Sequence, residues 1–592
     1  MHLPVIKRKN AYKRSIISFG GINTGGNYSA GEMRDCSGIS HHEFPFITQR
    51  NKSEHIFSCT SPTAVVPGSM ECIAAEDGFY YNRKKECELT SGKKQIAILG
   101  KQIMIFPDKL CFDTESKSFK RLDGKVYTSQ AKVTFTENSI SLPSNYYETL
   151  KKEEYTDFPK GTMLASYEKV STTDGTVTFT GFSLKEVGTL TEGTIYREKC
   201  LKNQYRVVVS ITYSEEKNAY AVENELVTVN NVGKEIFSHF KEDDTIEIEG
   251  CTGNTENNIS ATVLSVSGEK LTFADGTFTS ATETGGITIK RKIPDFTSVC
   301  SYENRLWGIE GNTIYASALG DPTAFFSYQG ISTDSFTIQS NSAGDFTACI
   351  AYGNSCFFFK ENTCYKIYGN RPANFQLTEC FGNGILKNDA RSLVVAGNRI
   401  IYKGNGGVYS FYGGAPTRIS DVLGPVTMEN TTAGSNGKLY YLSADTKNGR
   451  EEFIWDIEKN LWCKSGVSDV LGYASYGQDV YRLKPDGIEK ITQETDEEAF
   501  WSITLCPIDE GYYNTKNYSR IRLKVHLFEG AYICTEIKAD DGEWKTVDTS
   551  YGDKKSYINI PCPIKKCHEL QIRLSGKGRS IIETITREFC VN

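Results

Sequence analysis

His41 and His42, followed by Glu43, are the first residues whose types suggest metal chemistry. Neighbouring side chains on an irregular or extended segment point in different directions, so an adjacent pair does not chelate one ion. The chain has 7 histidines, and none stands at a spacing that supplies a third ligand. Its 18 cysteines run from Cys36 to Cys590 without a single C-x-x-C pair; couples such as Cys356 with Cys364 and Cys562 with Cys567 are too open for a zinc ribbon. A chain this long does not depend on a disulfide framework, so the thiols read as small buried hydrophobes of a protein made in a reducing compartment.

Other chemistry-bearing patterns reduce to turns. Gly382 and Gly384 lie in GNGILK, and SGKGRS spans 575–580; neither fits the G-x-G-x-x-G or Walker spacing, and no βαβ unit surrounds them. No G-x-S-x-G nucleophile elbow is present. The acidic pairs Asp243-Asp244 and Asp540-Asp541 sit where turn chemistry already explains them. Asp541 to Trp544 has the D-G-x-W form of an Asp-box turn, a structural element in sialidases. Trp307, Trp455, Trp462, Trp501 and Trp544 offer a sugar-stacking platform on one reading and core filling on the other, and core filling is favoured. The reading therefore expects no catalytic residues, no cofactor and no metal, and classes the chain as a non-enzyme.

The elements around these residues are strands. Hairpins turn at Asp77-Gly78, near Gly100, at Glu310-Gly311-Asn312, at Glu361-Asn362, near Gly404–Gly407 and at Asp486-Gly487. From Pro294 onward the turns recur about every 45 residues, the period of a four-stranded propeller blade. Residues 125–292 differ: they are rich in Thr, Glu and Lys, with short strands such as YRVVVSITY (205–213), TIEIEG (245–250) and ITIKRKI (287–293), and a short helix near 232–242. The last stretch alternates at Ile521, Leu523, Val525 and Leu527, as a half-buried strand does. The predicted class is all-β: a β-propeller with an inserted small β-barrel or sandwich region and a C-terminal β-sandwich. The predicted boundaries are an N-terminal arm at 1–65, first blades at 66–124, the insertion at 125–292, remaining blades at 293–497 and the sandwich at 498–592. Blade number stays open between six and eight.

Composition agrees with this class. The 592 residues are 39% hydrophobic and 24% charged, with Tyr 33, Phe 31 and Gly 52. A net charge of −6 argues against a groove that grips nucleic acid through its phosphates, but suits a surface that DNA slides past. No apolar run is long enough to span a bilayer, and the basic start MHLPVIKRKNAYKR lacks the apolar stretch of a secretory signal.

Residues 294–420 resemble a family of phage tail structural proteins. The resemblance lies in the order of IPD, VCSYENRLWG, NTIYASALGDPTAFF and FFFKENTCYKIYGNRPANFQL. The opening ISFGGIN, GEMRDCSGIS and FPFITQR (17–50) and the closing KADDGEWKTV and IRLSGKG are similar to the same family; the insertion matches more loosely. The resemblance implies a virion structural protein, and by architecture a nozzle-like propeller arranged in a ring about a DNA exit channel. The implied partners are further copies of the chain in a ring, by analogy a hexamer, with other tail, adaptor or receptor-binding proteins, and DNA in transient passage. The implied location is the virion tail, after assembly in the host cytoplasm. The alternative is a peripheral host-surface protein that binds or depolymerises glycan.

Overall fold

Short aromatic and β-branched runs, punctuated by Gly, Asn and Asp, fold here almost entirely as antiparallel strands. The computed structural model describes residues 11–66, 70–128, 132–141, 237–267, 270–284, 286–552 and 555–592, and within 142–236 only the strand backbone between Thr162 and Asn230. The chain divides into two compact units. Met1–Asp108, Asp295–Tyr315 and Ile338–Asn592 form the first; Lys109–Pro294 and Ala316–Thr337 form the second, which is wider than the predicted insertion at 125–292.

The first unit carries a seven-bladed propeller. Complete four-stranded sheets lie at 62–87 (blade 1), 348–382 (blade 4), 394–418 (blade 5), 429–467 (blade 6) and 472–495 joined by Asn51–Phe57 (blade 7). Blades 2 and 3 place their inner hairpins in this unit, Gln95–Leu99 with Gln102–Phe106 and Ser298–Tyr302 with Arg305–Glu310. The first strand of each blade lies innermost and touches that of the next; between blades 4 and 5 the contact is made by the turn Lys387–Ser392. Large aromatics fill the wedges between blades. Trp307 of blade 3 is buried with its ring 5.9 Å from Phe358 and 5.1 Å from Phe375 of blade 4, and Phe359 lies 5.1 Å from Tyr402 of blade 5.

The ring closes through the N-terminal segment. Asn51–Phe57 is the outermost strand of blade 7, with Phe57 opposite Ile488 and Glu54 opposite Lys490, and the chain then enters blade 1. Gly487 permits the approach: its φ is +146°, and a Cβ there would collide with the Phe57 carbonyl.

A two-sheet sandwich completes this unit. One sheet has the order Ala11–Ile16, Ser580–Val591, Lys516–Leu527, Lys555–Pro561; the other Met33–Ser37, Phe500–Leu505, Leu570–Lys577, Ala531–Ala539, Lys545–Gly552. Ile521, Leu523, Val525 and Leu527 all face its core, against Ile503, Ile533, Ile572 and Leu574. The segment predicted as an arm at 1–65 is therefore strand over much of its described length, adding one strand to each sandwich sheet and two to the propeller, Asn51–Phe57 in blade 7 and Pro62–Val65 in blade 1. Phe19 and Ile22 between those strands are buried in one cluster with Trp455 and Trp462 of blade 6, and the Ile22 amide donates to the Trp462 carbonyl at 2.7 Å.

The second unit contains two small sheets, Val126–Thr128, Ile287–Arg291, Thr245–Glu249, Ser260–Thr262 and Ser265–Ser267, Lys270–Thr272, Ser139–Ser141, Lys132–Thr136, Ala281–Thr284. They close over Val133, Phe135, Ile140, Ile246, Leu271 and Ile289. The expected helix near 232–242 is a turn at Phe237–His239, and residues 232–236 lie outside the described ones.

Candidate functional site

The innermost strands enclose a lumen of about 290 Å³, to which every blade contributes a wall residue: Thr63, Gln95, Val299, Ala348, Leu393, Ala433 and Gly472. Most are small or aliphatic; Arg391, from the turn before blade 5, joins Gln95, Ser298 and Thr432 among the polar residues that line the lumen. Its Nη2 donates to the Thr63 carbonyl of blade 1, and its Nη1 lies close to Gly472 of blade 7. One arginine thus crosses the axis. An opening that a single side chain bridges does not pass a duplex whose major groove alone is about 12 Å wide.

Arg391 has no carboxylate partner among the described residues, and burial pulls its pKa below the ordinary guanidinium value. Lys93, on the loop entering blade 2, is likewise without an acidic partner; burial, then the charges of Arg391 and Arg450, lower its pKa. Arg450 is fixed at the same mouth by the carbonyls of Val470 and Asn430, Thr432 Oγ1 and the Asp445 carboxylate at 2.8 Å. Lys94, one residue on, is neutralised: its ammonium is buried and lies 2.6 Å from Asp108. The mouth of the lumen is therefore cationic in a chain of net charge −6.

A second cavity, of about 570 Å³, is lined by His41, His42, Arg50, Asp456 and Lys459. Its charges pair among neighbours, Arg50 with Asp496 at 3.1 Å and Lys459 with Asp456 at 2.6 Å. His41 is buried with Nε2 3.1 Å from the Gly20 carbonyl, and burial lowers its pKa; His42 lies against Ser40 and Thr48. Among the described residues no cluster of three His, Cys, Asp or Glu side chains is placed to hold a metal.

The remaining candidates resolve individually. Asp244 is buried against Arg291 at 2.6 Å, and Asp540 accepts the amides of His568 and Glu569. Trp307, Trp455, Trp462 and Trp501 are core residues. Trp544 alone is half-exposed, with the Arg573 guanidinium 3.9 Å from its ring centroid. The five do not form a platform.

Another surface does present aromatic faces. On the outer side of the five-stranded sandwich sheet, Phe500, Lys577, Tyr532 and Tyr551 stand opposite one another across four strands. Phe500 is 70% and Tyr551 76% exposed, Lys577 Nζ lies 5.7 Å from the Phe500 ring, and the two tyrosine rings are 5.7 Å apart. The next row holds Ser502, Ser575, Cys534 and Thr549, a shelf of small side chains. The row after that holds Thr504, Arg573, Glu536 and Thr546.

No family model matches the chain, and no curated protein matches it. Solved structures that align with it include an exo-β-1,3-galactanase from Phanerochaete chrysosporium with galactose (10% identity, TM-score 0.20, 50% of this chain and 96% of that one). PorZ, a bacterial surface component of the type-IX secretion system of Porphyromonas gingivalis, aligns at 10% identity and TM-score 0.23 over 90% of this chain and 88% of its own. A family 43 arabinoxylan arabinofuranohydrolase from Bacillus subtilis aligns at 8% identity and TM-score 0.16 over 83% and 94%. At these scores none carries an argument about function.

Sequence reasoning singled out neither the cationic mouth nor the aromatic row. Arg391 and Thr63 are 328 residues apart and belong to no motif. The signal available was weak: a Lys or Arg in the loop that enters a blade's first strand. Phe500, Tyr532 and Tyr551 each occupy an outward position of an alternating strand, which sequence marks as surface without marking it as shared.

Proposed function

We propose that the chain is a structural component of a bacteriophage tail, a ring-forming nozzle-like protein at the DNA exit channel. The observation that carries this reading is the path of residues 11–57, which supply a strand to each sandwich sheet and the closing strand of blade 7. Pulling any one of these apart breaks backbone hydrogen bonds in sheets at opposite ends of the sequence, a design for bearing load rather than for opening around a substrate. The ordered motifs at 17–50 and 294–420 support the same reading. The conduit would be built between copies of the chain, since Arg391 bars the propeller's own axis. Electron microscopy of the purified protein and of the particle that carries it tests the proposal. A ring on the tail axis is the expected result; a monomer that is absent from particles overturns it.

The aromatic row favours a second reading, adhesion to a host-surface glycan. Exposed aromatic faces beside a shelf of small hydroxyl-bearing side chains suit stacking on sugar rings with hydrogen bonds to their hydroxyls. Binding to host envelope polysaccharide that disappears in Tyr551→Ala supports this reading, and a failure to bind any such polysaccharide removes it.

A further inference from the structure

We propose that the mouth of the propeller lumen is a binding site for a small oxyanion of the phosphate or phosphate-monoester class, held by Arg391 with Lys93 beside it. Three observations point there. Arg391 spends one of its five N–H donors on the Thr63 carbonyl, and no described residue accepts the others. The half-buried Arg391 guanidinium has no counter-charge among the described residues, and an anion in the lumen would supply one. Lys93, on the loop entering blade 2, lies close enough to Arg391 and to Arg450 for their like charges to weigh on its ammonium. Finally, the lumen of about 290 Å³ is at the small end of ligand sites, so it admits a phosphoryl-sized group rather than a polymer. The planar guanidinium fork suits two oxygens of such a group, and the lysine adds a point charge. An anion there would tie blade 5 to blade 2 through two cations that otherwise repel.

The test is thermal melting and calorimetric titration of the intact chain with inorganic phosphate, at ionic strength held constant with potassium chloride. The expected result is a saturable rise in Tm with phosphate that chloride does not reproduce. Lys93→Met, on an exposed loop, should melt like the wild type in chloride while needing at least a tenfold higher phosphate concentration for half the shift. Arg391→Gln should abolish the shift, and if it fails to fold, the Lys93 variant decides alone. Running glucose 6-phosphate in parallel separates the sources: equal shifts assign the phosphoryl group itself as the recognised unit, and a shift with the ester alone assigns a monoester. No shift beyond the chloride control with either compound overturns the proposal, as does a Lys93 variant that responds like the wild type.

Discussion

Glu452 and Arg482 form a two-point ion pair between blades 6 and 7: Arg482 Nε donates to Oε1 at 2.8 Å and Nη2 to Oε2 at 2.6 Å. The Glu452 side chain is 1% exposed. Tyr473, on the innermost strand of blade 7, adds its hydroxyl to the same carboxylate at 2.8 Å, and Arg482 Nη1 reaches Ser53 on the closing strand. One carboxylate thus organises three strands of the blade that completes the ring. A carboxylate beside a tyrosine hydroxyl has the ingredients of acid–base chemistry, but this one is neutralised by a guanidinium and sealed from solvent.

Glu452→Ala should destabilise the protein by about 3–5 kcal/mol, because it leaves Arg482 charged and alone between blades. Urea unfolding checks this, and a loss under about 1 kcal/mol would mean the pair is not buried in solution. The pair also fixes a pH dependence. Burial raises the pKa of Glu452, but the charge and hydrogen bonds of Arg482 outweigh it, so the folded value lies below the usual one. Its contribution is present above the unfolded pKa of about 4.3 and disappears as pH falls through the folded value. The wild type should lose stability across that acid range, and Glu452→Gln should lose less over the same interval.

Gly487→Ala should open the ring at its seam. A side chain at this position meets the Phe57 carbonyl, so the closing strand must shift or detach. Gly477, in the hairpin turn of the same blade, is the control: its φ is +61° and nothing lies within 4 Å of a built Cβ. Gly477→Ala should cost only backbone strain, about 1–2 kcal/mol. Gly487→Ala should cost clearly more and should raise hydrogen exchange along 51–57. Equal costs would argue that Asn51–Phe57 does not hold blade 7 closed.

Phe500→Ala and Tyr551→Ala separate surface function from stability. Both side chains are largely exposed, so each substitution should move stability by no more than about 0.5 kcal/mol. If the sandwich face binds glycan, polysaccharide affinity should fall at least tenfold in each variant with melting unchanged. If these residues instead dock another tail protein, polysaccharide assays stay silent and incorporation into particles falls.

The parts of this fold that sequence makes legible are those where burial is one-sided or repeated. Ile521, Leu523, Val525 and Leu527 alternate because one face of their strand meets the sandwich core. The inner hairpins of blades 3, 4 and 5 stand out because both of their faces are buried between neighbouring blades. Ala11–Ile16 is different: it is an edge strand exposed at five of its six residues, so AYKRSI carries no pattern. Asn51–Phe57 reads as a polar loop because it is the outermost strand of its blade, and its partners lie more than 400 residues away. The cationic mouth is invisible for a related reason, since its members come from loops of different blades and share only a position in the ring.

The cysteines provide a test of packing throughout the first unit. Cys36, Cys59, Cys72 and Cys562 are buried at separate places in the propeller and the sandwich, and burial pushes each thiol up to about 12. At pH 8 such a group carries roughly a thousandfold less thiolate than a free cysteine with pKa near 8.5. Cys534 is half-buried on the outer face of the sandwich sheet, beside Ser575 and Thr549, and Cys590 is half-buried near the C-terminus. Brief treatment of the folded protein with iodoacetamide should therefore modify Cys534 and Cys590 first, and the four core thiols only after denaturant is added. Peptide mass spectrometry reads the order directly. Core thiols that react as fast as Cys534 would mean that the propeller and sandwich open on the labelling timescale, which a load-bearing scaffold does not do. Attaching a carboxamidomethyl group at Cys534 also places bulk on the shelf beside the aromatic row, so loss of glycan binding on labelling, with Tm unchanged, would locate that activity there.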